Sequence, residues 1–422
     1  MRVRHWTIVF AVIALGGGLL WMMLGREPIE DGRCRLTRKK ADPSSQLTGL
    51  TYQFVQPLDG KPDGVQDVPA GFGQPRYYRI MSGDKPILMV ADFTEKNVRL
   101  CADTDGDGIL SEERCFKAKL SKETPVSGRR QQLGPISLVS GDGAARANDG
   151  FYVICYREDA RDMLIPFAAF FRTGRLRLDG RTYRVAVVDG DYDGSYHSIL
   201  SLPLDRPWRL PACDVFAIDL NRNGKFEVSM YDRSEVRPLG RLVKVADDYY
   251  ALDIAPDGMS LTLSKTEPQF GTLAVESNDT TAELRLWSDA ADQHLPEGRR
   301  WQLPVGKYKG IYAILRKTDA SGDVWTFGSS SSSAFTRLGP LEFFTIKPGE
   351  TTSTRLGPPF VVKADVQKGP SGTVSISLVL VGCRGEEYQA GFRRNNRRAP
   401  EREFKIVDEQ GNVLVADKFK YG

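Results

Sequence analysis

Short apolar or alternating runs, each closed by Gly, Asp, Asn or Pro, recur along the chain from Leu47 onward. Residues 86–90, 98–100, 183–188 and 215–218 are of this kind. Val374, Ile376, Leu378 and Leu380 alternate with their neighbours at the two-residue period of a half-buried strand. No stretch carries the 3.6-residue period of an amphipathic helix of normal length. The longest apolar segment of the body, residues 162–171, contains Pro166, which would break a helix interior, so a buried strand is predicted there. The pattern predicts a mostly β, multi-domain protein of antiparallel β units. A length of 422 residues allows roughly two to four domains, each with a core of its own.

The N-terminus breaks this grain. Arg2, Arg4 and His5 precede an uncharged, mostly apolar run over residues 7–24, closed by Arg26. Such a run is long enough for a signal anchor and also fits a signal peptide cleaved near Gly16 or Gly18. Residues 1–26 therefore read as a targeting segment, and the body of the chain as exported to the cell envelope or secreted. The membrane is a partner through this segment if it stays uncleaved. Residues 27–44 are polar and basic and read as a linker. A first β domain is expected over 45–133 and a second over 134–268, divided at Arg129-Arg130-Gln131-Gln132-Leu133-Gly134-Pro135. Two more units are expected over 269–345 and 346–422. In the former, Leu303-Pro304-Val305-Gly306-Lys307-Tyr308 resembles the turn of PEGA and carboxypeptidase-regulatory-like β-sandwiches. The latter ends in a predicted hairpin around Gln410-Gly411-Asn412 and is similar to a small Ig-like sandwich.

An acidic motif stands out from this background. Asp103-Thr104-Asp105-Gly106-Asp107-Gly108 returns as Asp189-Gly190-Asp191-Tyr192-Asp193-Gly194 and as Asp219-Leu220-Asn221-Arg222-Asn223-Gly224. Oxygens at alternating positions converge when the chain wraps, and the glycine permits the sharp turn. Each copy comes after a β-rich run and places a large hydrophobe at position eight: Leu110, Tyr196 and Phe226. The motif resembles the calcium loops of EF-hand, dockerin and thrombospondin type 3 proteins, which implies Ca2+ as the cofactor. Two departures set it apart from a true EF-hand: strands precede the loops, and Arg114, Leu200 and Met230 occupy position twelve, where a bidentate Glu belongs. Weak, structural binding is expected.

In the first loop Asp103, Asp105 and Asp107 would be joined by the Ile109 carbonyl, with Ser111, Glu112 or Glu113 completing the shell. The third offers Asp219, Asn221, Asn223, the Lys225 carbonyl and Glu227, with Asp232 nearby. The second offers Asp189, Asp191 and Asp193 but carries His197, a poor calcium ligand, at position nine, and ranks last. The bland alternative for any one copy is a turn whose Asp and Asn bond their own backbone. Six cysteines in an exported chain permit disulfides. Cys101 and Cys115 bracket the first loop, where a bond would close a ring of about 15 residues, worth ~3 kcal/mol in the chain-entropy model.

Composition adds exclusions. A net charge of +4, spread along the chain, gives no reason to expect a nucleic-acid partner. With three histidines, no C-x-x-C, and none of the HExxH, G-x-S-x-G or P-loop signatures, no catalytic residue is predicted. Trp287, Trp301 and Trp325 form either a sugar-stacking platform or core filling. Arg393, Arg394, Arg397, Arg398 and Arg402 form either an anion grip or a solvated loop. The expectation is an envelope protein, of the binding or structural kind, whose partner is an envelope polymer or protein. A carbohydrate-binding protein and a secreted hydrolase with an unsignposted carboxylate site are the alternatives. As a whole the chain resembles large bacterial envelope proteins.

Overall fold

The computed structural model describes residues 30–418 apart from 42–46, 48–50, 84, 95, 123–128, 140–144, 159–160, 204–212, 228–234, 277–279, 331–336, 369–373, 389–391, 400–402 and 408. The targeting segment 1–26, Asp232, Met230 and Arg402 lie outside the described residues. The chain is almost all β and forms multiple antiparallel sheets.

Four sheets make up the first part of the protein. Pro75–Ser82, Lys85–Phe93, Asn97–Ala102 and Phe116–Lys119 form an antiparallel meander, with the first acidic loop joining its last two strands. A second meander runs through Ser121–Lys122, Arg129–Val139, Ala145–Glu158 and Arg161–Ala168. The third sheet has the order Val236–Pro238, Val215–Ile218, Arg181–Val188, Phe170–Leu178, Thr37–Lys40. The fourth has the order Arg33–Arg35, Ser260–Thr266, Asp248–Ile254, Leu242–Val245. Apolar residues of the first three sheets, among them Tyr78, Met89, Leu100, Phe151, Leu164, Ala186 and Val215, share one core. A second core lies between the third and fourth sheets around Leu176, Val185, Phe216, Val243 and Leu261.

Several boundaries differ from those the sequence predicts. Arg33–Arg35 and Thr37–Lys40 are strands, not linker. Cys34 pairs with Leu261, and Arg38 with Arg172, so this short basic stretch stitches the fourth sheet to the third. Its alternation hides the apolar side: Cys34 and Leu36 are buried while Arg33, Arg35 and Thr37 face out. The strand Arg129–Val139 runs across the expected division at 133/134, and a common core removes any seam there. Segment 162–171 is two strands, parted at Ala169. Pro166 is tolerated because Arg161–Ala168 is an edge strand of its sheet, where a missing N–H costs no ladder bond.

The later part is built on Phe270–Glu276, flanked by Arg300–Pro304 and, in parallel, by Thr351–Arg355. A larger sheet runs through Gln293–Gly298, Thr280–Ser288, Gly306–Thr318 and Val324–Ser330 to the hairpin Arg393–Arg394 and Arg397–Arg398. Leu273, Val275 and Leu303 of the first sheet pack on Leu284, Leu286, Tyr308 and Leu315 of the second. Leu356, Leu380 and Tyr388 belong to the same core, so strands beyond residue 346 complete this unit rather than starting a separate one. The hairpin Glu403–Val407 and Val413–Lys418 pairs only with itself among the described residues.

One buried cation in this part makes a prediction. Lys309, 1% exposed, lies opposite Trp287 in the ladder with its Nζ 5.4 Å from the indole ring. Burial pushes the ammonium down to about 8, against a weaker upward pull from Glu342. The unfolded chain then holds this proton more tightly than the folded one between pH 8 and the ordinary lysine range, so stability rises with pH across that window. Urea melts should show the parent gaining roughly 2 kcal/mol relative to Lys309→Met between pH 7.5 and 9.5. A pH-independent difference would refute the assignment.

Candidate metal centre

The three acidic loops share one backbone conformation. In each, the N–H of the position-six glycine donates to Oδ2 of the first aspartate: Gly108 to Asp103 at 3.2 Å, Gly194 to Asp189 at 2.9 Å and Gly224 to Asp219 at 2.8 Å. The N–H at position seven donates to the side chain at position five, at 2.7 Å from Ile109 to Asp107, 2.7 Å from Ser195 to Asp193 and 2.9 Å from Lys225 to Asn223. Position five donates in turn to position three. Positions four and six both take positive φ: 83° and 81° in the first loop, 61° and 82° in the second, 59° and 83° in the third. Glycine meets that demand without strain at position six of every copy. Tyr192 and Arg222 accept it at position four, where only the first loop has Gly106.

Position eight anchors each wrap. Leu110 and Tyr196 are fully buried, and Phe226 packs on the main core under the guanidinium of Arg184. A carboxylate from beyond the first nine residues then braces each loop. Glu113 accepts from the Thr104 N–H and hydroxyl, Asp214 from Gly190 (3.1 Å) and Ser198 (2.8 Å), and Glu235 from Asn221 (3.1 Å) and Glu227 (2.8 Å).

These braces decide which loops gather a metal-sized set of oxygens. Asp103, Asp105 and Glu113 bring one oxygen each to within 4.8 Å of one another, and so do Asp189, Asp191 and Asp214. Both clusters can hold a metal ion. Of the residues expected to complete the first shell, Glu113 is the one brought in; Ser111 bonds Asp67 instead, and Glu112 is exposed. Asp107 and Asp193 lie outside the clusters. The Ile109 carbonyl accepts from Glu112 at 3.3 Å. Among the described residues the third loop gathers no such trio: Asn223 donates its amide to Glu227, and Arg184 donates to the Gly224 carbonyl beside the Lys225 turn.

The second loop, ranked last by sequence, is the most deeply set. Asp189 and Asp191 are 6% exposed and Asp214 is wholly buried. Asp214 arrives through strand pairing. Arg181–Val188 runs antiparallel to Val215–Ile218 with Val188 opposite Val215, so the next residues outward are Asp189 and Asp214. The backbones approach so closely here that a Cβ on Gly190 would sit 2.1 Å from the Cys213 carbonyl oxygen. Burial, then repulsion from Asp191 and Asp193, holds the Asp189 carboxyl well above the usual range. Burial followed by Asp189 and Asp191 does the same to Asp214, and burial followed by Asp193 raises Asp191. Oδ1 of Asp189 is buried with no hydrogen-bond donor. Asp103 is raised more mildly, by burial, with the Gly106 and Gly108 N–H groups pulling it back down.

The other candidate residues have these surroundings. Trp287 is buried and offers no ring to a sugar. The half-buried Trp301 donates to the Pro296 carbonyl, and Trp325 donates to Asp319 under Arg394. Arg394 is paired with Asp323, while Arg393, Arg397 and Arg398 stay exposed. A disulfide joins Cys101 to Cys115 with Cα atoms 4.5 Å apart. Fold and site together define a mostly β protein of several antiparallel sheets with two carboxylate clusters fit for a metal ion. No protein-family model matches the chain, and no curated protein matches it in sequence.

Proposed function

We propose that this chain is an exported envelope protein of the binding or structural kind, stiffened by Ca2+ in its first and second acidic loops. The observation that carries the metal half is the Asp189, Asp191 and Asp214 cluster: three buried carboxylates within 4.8 Å, one with an oxygen that nothing donates to. A divalent cation supplies the missing partner and removes the mutual repulsion. Calcium suits it better than magnesium, because flexible oxygen shells filled out by carbonyls and water fit Ca2+, whereas Mg2+ demands near-ideal octahedra. The uncharged run over residues 7–24 behind Arg2 and Arg4 supports export. An envelope polymer or protein is the partner class.

A thermal melt tests the reading. Millimolar Ca2+ should raise the midpoint saturably over EDTA, by about 2.7 kcal/mol of added stability at a hundredfold excess over Kd, with Mg2+ giving less. Equal midpoints in EDTA and Ca2+ would sink the metal half. Recovery of the chain from the cytoplasm would sink the envelope half.

A further inference from the structure

A cleft of about 450 Å³ opens where the fourth sheet and the third meet the later part of the protein. Arg181, Arg237 and Lys244 line one side, and Arg285, Asp292 and His294 the other. The junction is held by backbone bonds from Arg241 to Asp289 and from Leu242 to Ala290, so the two walls are fixed to one another. Its lining sets four permanent cations against one carboxylate.

The cations at its floor are costly to keep there. Arg285 is 2% exposed and Arg237 5%. Arg285 spends Nη2 on Asp292 Oδ2 at 2.7 Å, while its Nε and Nη1 are buried without an acceptor. Burial pushes Arg237 down to about 10, Asp292 pulls it back up, and Arg285 repels it. Arg285 thus pairs with Asp292, Arg237 feels both Asp292 and Glu235, and unmade bonds from a buried charged donor such as Arg285 cost more than neutral ones. Each open guanidinium N–H can donate one charge-assisted hydrogen bond to a phosphate or sulfate oxygen.

We propose that this cleft is a binding site for an oxyanion of the phosphate or sulfate kind, seated on the open Nε and Nη1 donors of Arg285 and balanced by Arg237, Lys244 and Arg181. The site is separate from the acidic loops, although Leu220, the second residue of the third loop, forms part of its wall. Its size leaves room for a sugar that carries the group. This inference stands or falls independently of the calcium reading.

Calorimetry on the full chain at fixed ionic strength, with chloride replaced by inorganic phosphate or sulfate, tests it. Because sulfate stabilises most proteins by exclusion from their surface, the readout is saturable heat rather than a melting shift. Arg285→Lys keeps the charge but loses the Nε and Nη1 donors and should weaken binding at least tenfold. Should that variant fail to fold, the paired reversal Arg181→Glu with Lys244→Glu, at exposed and half-buried positions, should do the same while leaving the calcium response unchanged. Glucose 6-phosphate binding tenfold tighter than free phosphate places the group on a sugar, and equal affinity identifies the free ion. Absence of saturable heat, or unchanged affinity in the folded variants, overturns the proposal.

Discussion

In a chelator the Asp189→Asn protein should melt above its parent, and in millimolar Ca2+ the order should reverse. The substitution keeps the acceptor that takes the Gly194 N–H and replaces the unpartnered Oδ1 with an amide that can donate to the neighbouring carboxylates. In the metal-free protein this relieves a buried charge repelled by Asp191 and Asp193 and fills an orphan position, a gain on the order of 1–3 kcal/mol. With Ca2+ present the same change removes a charged ligand, and weaker binding results from the lower charge count. A structural carboxylate would behave otherwise, losing stability in both conditions. Asp214→Asn is the companion variant and should lower stability in both, because an amide can accept only one of the two N–H groups that Asp214 now holds. Midpoints of both variants in EDTA and in Ca2+ separate these outcomes. If Asp189→Asn melts below its parent in EDTA, the cluster is held by something other than a missing cation.

How much of this was legible in the sequence differs between its parts. Strand content comes from alternation and turn residues, and the loop conformation from a motif that repeats with glycine at position six. Asp214 was missed because its place depends on which strand pairs with which. One signal was available: it directly precedes the β run that leads into the third loop. Antiparallel pairing of that run with the one before the second loop lays Asp214 beside Asp189. The same pairing reverses the ranking of the second and third loops, since it gives the second a buried third carboxylate, while the third closes on Glu235 and Arg184. Arg237 and Arg285 carried no signal at all. Among 58 Lys and Arg, a buried guanidinium with open donors is visible only once two parts of the fold come together. The boundary at 346 failed for a related reason: Thr351–Arg355 pairs in parallel with Phe270–Glu276, a long-range contact that alternation cannot report.

The second large effect is expected from the covalent link around the first loop. Cys101 lies in the buried end of the strand Asn97–Ala102, and Cys115 directly precedes Phe116–Lys119, so the bond closes the loop at the mouth of the strand pair that carries it. Reduction, or the double change Cys101→Ala with Cys115→Ala, releases a closed ring of about 15 residues in the unfolded chain and should cost ~3 kcal/mol. It should also act on the metal site. Glu113 stands two residues before Cys115, and its carboxylate reaches back to Thr104, the residue after Asp103, so the link keeps Glu113 close to Asp103 and Asp105. Without it that carboxylate must be ordered at the moment of binding, and the entropy of ordering it is charged against affinity. The expected result is a lower midpoint in EDTA and a weaker calcium response at the first loop, with the Asp189 cluster unaffected. Calcium titrations of the double variant in an Asp189→Asn background isolate the first loop. Affinity there equal to that of the disulfide-bonded Asp189→Asn protein would show that the strands alone preorganise the loop.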